Sequence, residues 1–198
     1  MLKNLIFDFG GVICRYNPDD ITRAFFPNES DRLLAKPILY REWQALDEGK
    51  IDYSEYAKET VSLIPAHLQD AAKAFFRDWL HVLPPKPEIW ALIGEMKARG
   101  MNIYLLSNAP TYFAEHLNDF PILKIMDGCV ISGDIRMFKP NEDIFLYALQ
   151  KYNLNAAESL FIDDNSQNAI AAEKCGLHGF TYTGNIDALH AEIEMLMR

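Results

Sequence analysis

The sequence predicts an α/β fold, a doubly wound parallel sheet with a helical block inserted after the first strand. Three observations predict it. Leu5-Ile6-Phe7, Ile103 to Leu106 and Leu160-Phe161-Ile162 are unbroken apolar runs, the pattern of strands covered on both faces. From Pro87 onward such runs alternate with helix-length segments, which is the sequence form of strand-helix-strand units. Between them, residues 15 to about 83 carry helical periodicity and no convincing strand.

In chain order, the first strand ends at Asp8 and is broken by Gly10 and Gly11. Helices follow at Asp20 to Phe26, Ser30 to Leu46, Tyr53 to Ile64 and His67 to Leu80. Asp52 with Glu55 makes a capping-box-like start for the third of them. Pro84-Pro85-Lys86-Pro87 is a stiff linker. Glu88 to Arg99 is a helix ended by Gly100. Asn102 to Leu106 is a strand, Thr111 to Leu117 helical, and Cys129 to Ser132 a short strand. After the loop Met137 to Pro140 come a helix at Asn141 to Tyr152, the strand Leu160 to Ile162 and a helix at Ser166 to Cys175. Gly179 to Tyr182 is the last strand, and Ile186 to Met197 a closing amphipathic helix. The division expected is a Rossmann-like core of residues 1–14 and 85–198, with a helical unit at 15–84.

The length of 198 residues suits one substantial core, or a core plus a small module. Hydrophobic residues at 49% and charged residues at 24% are ordinary for a globular protein. The formal net charge of -9 argues against a nucleic-acid partner or an anionic membrane surface. Cys14, Cys129 and Cys175 are far apart and form no C-x-x-C, so neither a disulfide scaffold nor a zinc site is expected. The apolar run before Asp8 is too short for a signal segment or a membrane span, and a cytoplasmic location is expected.

In a parallel sheet all carboxyl ends lie on one edge, where open α/β sheets build ligand sites. Three strands deliver polar groups there: Asp8, then Ser107 with Asn108, then Asp163 with Asp164. The loop ahead of Asn141 adds Lys139. Three bare carboxylates raise one another's pKa, and a hard divalent cation with oxygen ligands, such as Mg²⁺, would relieve them. Lys139 can serve as a point charge for a phosphate or a carboxylate. Ser107 and Asn108 offer a hydroxyl, an amide and backbone N–H groups to an anion. Each has a plainer reading: an Asp163-Asp164-Asn165 helix cap, a solvated lysine, an ordinary strand-to-helix turn.

Taken together, these residues resemble the haloacid dehalogenase superfamily, mostly phosphotransfer enzymes. Its four motifs match Asp8-Phe9-Gly10-Gly11-Val12, Ser107-Asn108, Lys139-Pro140 and Asp163-Asp164, in order, each at its element end. The helical block is similar to the small cap of one large subgroup. Within it the chain looks most like bacterial sugar-1-phosphate phosphatases and the phosphatase domain of epoxide hydrolases. The resemblance implies Mg²⁺-dependent hydrolysis of a small phosphorylated metabolite, such as a sugar-1-phosphate. Asp8 would be the nucleophile, forming an aspartyl-phosphate. The metal would be held by Asp8, the Gly10 carbonyl and Asp164, with Asp163 in support. Gly11, Ser107, Asn108 and Lys139 would hold the phosphoryl group. From the cap, Arg15, Trp43 and Glu48 are candidate substrate contacts, each with an ordinary structural reading beside it.

One departure bears on mechanism. Members usually carry a second Asp two residues after the nucleophile, as acid and base, and here that position is Gly10. Asn168 likewise stands where many members have a further Asp. Two alternatives follow: a metal-independent 2-haloacid dehalogenase, and a non-catalytic phosphate-binding member of the superfamily. The acidic pair favours the metal-dependent branch. Without a carboxyl at position 10, Glu48 is a candidate for part of the missing proton transfer, and substrates with good leaving groups are expected to be preferred.

Overall fold

The computed structural model describes residues 1–198. Five strands, β1 (Asn4–Phe7), β2 (Asn102–Ser107), β3 (Gly128–Ile131), β4 (Ser159–Asp163) and β5 (His178–Thr181), form one sheet in the order β3-β2-β1-β4-β5. Every pairing is parallel, with Phe7 opposite Leu105 on one side and Ile162 on the other. The apolar runs are the buried strands they predict: all of β1 and β4 and all but the first residue of β2 are buried.

Side chains alternate across the sheet. Leu5 and Phe7 join the larger hydrophobic cluster, which continues through α6 (Pro87–Ala98), α11 (Ile186–Leu196) and into the helical block. Ile6, Tyr104 and Phe161 face the other cluster, under α9 (Glu142–Lys151) and α10 (Ser166–Lys174). Two short helices, α7 (Thr111–Glu115) and α8 (Ser132–Ile135), fill the connections after β2 and β3.

Between β1 and α6 the chain is helical: α1 (Pro18–Phe25), α2 (Glu29–Leu39), α3 (Trp43–Asp47), α4 (Tyr53–Leu63) and α5 (Gln69–Asp78), with single 3₁₀ turns on either side of α5. The chain leaves and returns side by side. Arg15 N–H donates to Pro84 O at 2.8 Å and Lys86 N–H to Ile13 O at 3.0 Å. Asn17 and Asp52 cap α1 and α4, and Asp52 Oδ1 accepts from Glu55 N–H at 2.9 Å, half of the expected capping box.

One predicted element is corrected. The segment Ser30 to Leu46 is two helices, not one. Pro37 removes an N–H near the end of α2. The Tyr56 hydroxyl then holds the break open, donating to Leu39 O at 2.9 Å and accepting from Glu42 N–H at 3.3 Å. No helix is long and apolar enough to cross a membrane.

Candidate active site

The carboxyl ends of β1, β2 and β4 meet beneath the helical block and enclose a cavity of about 230 Å³. Its floor is Asp8, Ser107, Asn108, Lys139, Asp163 and Asp164. Its wall is largely aromatic and apolar: Tyr16, Trp43, Trp79, Leu80, Leu83 and Phe113. β1 is the centre of the sheet, so its end lies where the strand order turns, the usual position for a ligand site.

Lys139 organises the floor. Its ammonium donates to Asp8 Oδ1 at 2.7 Å, Asp163 Oδ2 at 2.7 Å and Leu106 O at 2.9 Å, which uses all three N–H groups. The side chains of Lys139 and Asp163 are 1% exposed and that of Asp8 11%. Burial pushes the Asp8 carboxyl up to about 6; Lys139 opposes this and Asp163 adds to it. Burial alone would lower Lys139, but the charges of Asp8 and Asp163 outweigh it and hold its pKa above the usual lysine value. The Asn108 amide fixes the lysine's backbone, donating to Lys139 O at 2.8 Å and accepting from Lys139 N–H at 2.9 Å.

That pairing engages the Asn108 side-chain oxygen and one of its two amide hydrogens. Other donors nearby are free. The Ser107 hydroxyl makes no hydrogen bond within the chain, and the N–H groups of Gly10 and Asn108 find no acceptor there.

Asp8, Asp163 and Asp164 bring carboxylate oxygens within 4.8 Å of one another. Asp163 is tied down by Asn165 N–H at 2.8 Å and Asn168 Nδ2 at 3.0 Å. Asp164 has no hydrogen bond or ion pair in the chain, and partial desolvation with the Asp163 charge raises its pKa. The cap of α10 is Asn165, whose Oδ1 accepts from Gln167 N–H at 3.0 Å, so capping does not account for the acidic pair. Three acids against one buried ammonium leave the cluster two positive charges short. An all-oxygen donor set of this kind fits a hard divalent cation. The Gly10 carbonyl, which accepts no hydrogen bond from the chain, is a further oxygen on the same turn.

Gly11 explains the turn. Its φ is +78°, and a Cβ there would lie 2.0 Å from Asp164 Oδ2, so only glycine lets β1's turn and the acidic pair come together. Lys86 reaches back to donate to the Gly11 carbonyl.

Of the three residues singled out in the helical block, only Trp43 lines the cavity. Arg15 is exposed and is absent from the lining; its backbone, not its side chain, joins the crossing with Pro84. Glu48 turns away. It accepts from Gln44 Nε2 at 2.8 Å, pairs with Lys50 and faces a separate surface cleft beside Arg136. The hydrogen bonds of Lys50 and Gln44 hold its carboxyl below the usual glutamate value. Its neighbour Asp47, which the sequence reading passed over, lines the cavity instead. Asp47 Oδ1 is shut off from solvent and has no hydrogen-bond partner. Burial, with Asp8 and Glu48 adding and Lys139 opposing, pushes its carboxyl up to about 8. The only signal in the sequence was an acid ending a short helix before a glycine turn.

The chain belongs to the haloacid dehalogenase-like hydrolase family, whose model matches residues 2–176. It is 28% identical to a sesquiterpene phosphatase of Aspergillus oryzae, over 93% of this chain and 91% of that protein. It is also 28% identical to a D-ribitol-5-phosphate phosphatase of Bacteroides thetaiotaomicron, over 91% of each. A family enzyme of Bacteroides thetaiotaomicron, crystallised as an Asp-to-Ala mutant with magnesium and inorganic phosphate, has the same fold, with a TM-score of 0.73 at 20% identity. The match covers 93% of this chain and 96% of that one.

Proposed function

We propose that the chain is a Mg²⁺-dependent phosphatase of a small phosphorylated metabolite, working through an aspartyl-phosphate on Asp8. The observation that carries the reading is the buried Asp8–Lys139–Asp163 cluster with the unpaired Asp164 beside it. The phosphatase relatives and the magnesium–phosphate complex of a structural neighbour support it. In this reading residues 15–84 act as a cap over the core, and Trp43 contacts the substrate from the cap.

Mg²⁺, held by Asp8, Asp164 and the Gly10 carbonyl with Asp163 in support, would supply charge neutralisation at the phosphoryl oxygens. Asp8 Oδ forms a bond to phosphorus as the ester P–O bond breaks. Lys139 holds Asp8 in place and adds positive charge. Ser107 Oγ and the N–H groups around Gly10 and Asn108 hold the transferring oxygens. Water then displaces Asp8 from phosphorus and releases phosphate. The demand on the chain is mainly positioning and charge complementarity.

The test is a screen of phosphorylated metabolites with and without Mg²⁺, beside the variant Asp8→Asn. Turnover that needs both Asp8 and Mg²⁺ is expected. Turnover of 2-chloro acids in chelator, with no phosphate ester consumed, would make the chain a dehalogenase. Binding of a phosphate analogue with Mg²⁺ but no turnover would make it a binding protein.

A further inference from the structure

Phosphate esters of ordinary alcohols leave as basic alkoxides and need a proton in the transition state. The floor of the cavity has none to give. Asp8 must be ionised to attack, Asp163 is engaged by Lys139, Asn165 and Asn168, and Asp164 is the metal's ligand in the reading above. Position 10 has no side chain, and Tyr16 crowds the space: a Cβ on Gly10 would lie 3.2 Å from Tyr16 Cβ.

One carboxyl faces the cavity from the helical block. Asp47 stands at the end of α3, and the turn that follows is fastened to the core in two places. The Ser132 hydroxyl donates to the Asp47 carbonyl while accepting from Ala109 N–H at 2.9 Å. Gly49, at φ +64°, presses on Gly133: a Cβ there would lie 2.2 Å from the Gly133 carbonyl oxygen. The turn is therefore set against the start of α8, and the Asp47 side chain is placed over the floor. Its buried Oδ1 is the only orphaned carboxylate oxygen among the buried side-chain atoms of the protein. A buried polar atom without a partner is costly unless another molecule satisfies it. Asp8, Glu48, Lys139 and the Tyr16 hydroxyl are the titratable groups around it.

We propose that Asp47 is the proton donor and acceptor of the reaction, delivered to the cavity by the docked turn at Asp47–Gly49. The inference rests on the phosphatase reading above and names the group that completes it. In the first step the P–O bond of the ester breaks and its electron pair stays on the leaving oxygen. Asp47 gives that oxygen its proton, leaving an alcohol, an Asp47 carboxylate and the aspartyl-phosphate. In the second step a water oxygen bonds to phosphorus and gives its proton to Asp47. The P–O bond to Asp8 breaks, and the Asp8 carboxylate is restored with release of phosphate. Asp47 ends protonated, as it began. With this group in place the leaving group need not be a good one, and the preference for good leaving groups expected from Gly10 no longer follows.

The experiment compares kcat/KM for a series of aryl phosphates, from 2,4-dinitrophenyl to phenyl phosphate, in the unaltered protein and in Asp47→Asn, Tyr16→Phe and Asp8→Asn. General acid catalysis supplies ~10²–10⁴-fold, so Asp47→Asn is expected to lose about that factor with phenyl phosphate and less than about tenfold with the dinitrophenyl ester. Slow dephosphorylation in the same variant should appear as a burst of nitrophenolate from p-nitrophenyl phosphate. Melting curves and Mg²⁺ titration establish that the variant is folded and binds metal. An equal loss across the series, or none, overturns the proposal, and so does a steeper leaving-group dependence in Tyr16→Phe instead. Turnover that disappears in Asp8→Asn keeps the phosphatase reading standing whichever result Asp47→Asn gives. Turnover that survives in Asp8→Asn removes both.

Discussion

Lys139 Nζ stands 2.7 Å from Asp8 Oδ1, although the two residues are 131 positions apart in the chain. The ammonium is the only cation in the buried floor and it serves two carboxylates. Removing one partner of a buried ion pair costs about 3–5 kcal/mol, because the charge left behind is uncompensated. Lys139→Met is therefore expected to destabilise the fold by about that amount near pH 7. Without the ammonium, Asp8, already held at about 6, moves further above its unfolded value. A folded state that keeps protons the unfolded chain has released loses stability as pH rises. The deficit should shrink on going from pH 7.5 to pH 5. Urea melts at the two values measure it, and equal deficits would show that lost packing, not charge, is the cause.

Asp164 has no partner in the chain, so Asp164→Ala should leave the melting temperature nearly unchanged while weakening Mg²⁺ binding at least about tenfold, or about 1.4 kcal/mol. Gly11→Ala should weaken Mg²⁺ binding from the other side, because its Cβ would displace the Asp164 carboxylate. That variant should also lose stability, since φ is +78°. Calorimetric titration with Mg²⁺ decides. Unchanged affinity in Asp164→Ala would take the acidic pair out of the metal site.

Asp47 is expected to trade stability for its place in the cavity. Its folded pKa of about 8 lies above the unfolded value. Below the unfolded pKa the carboxyl is protonated in both states and costs nothing. As pH rises toward 8 the unfolded chain ionises first, and stability falls. Asp47→Asn removes that penalty. The variant should melt higher than the unaltered protein at pH 7.5 and show little gain at pH 4. A gain of equal size at both values would trace it to something other than ionisation.

Gly10→Asp asks whether the turn can carry an acid of its own. The new Cβ would press on Tyr16, and forced overpacking typically costs about 1–3 kcal/mol. The variant is expected to be less stable by that amount and to give no increase in kcat/KM with phenyl phosphate, since Asp47 already supplies the proton. A gain of about a hundredfold or more, the lower end of general acid catalysis, would show that proton transfer is limiting in the unaltered protein.

The sheet and the floor of the site were legible in the sequence because their cause is local. Leu5 to Phe7 and Leu160 to Ile162 are apolar without interruption, and a strand buried on both faces needs that. In a parallel sheet the residues just after such strands must share one edge, so Asp8, Ser107 and Asp163 were brought together by topology alone. Asn108 was visible as a site residue, but its engagement with Lys139 was not, since the partner lies 31 positions away across a loop.

The helical block was legible as helices but not in its details. The break between α2 and α3 depends on the hydroxyl of Tyr56, a residue of the next helix. The choice between Asp47 and Glu48 was decided by tertiary structure. Neighbours on a helix differ by about 100° in direction, and nothing in a five-residue segment says which of two acids faces inward. Ser132 and Gly133, from the far side of the sheet sequence, fix the turn and so the direction. Local patterns specify which elements form; the orientation of a short element is specified by whatever it docks against.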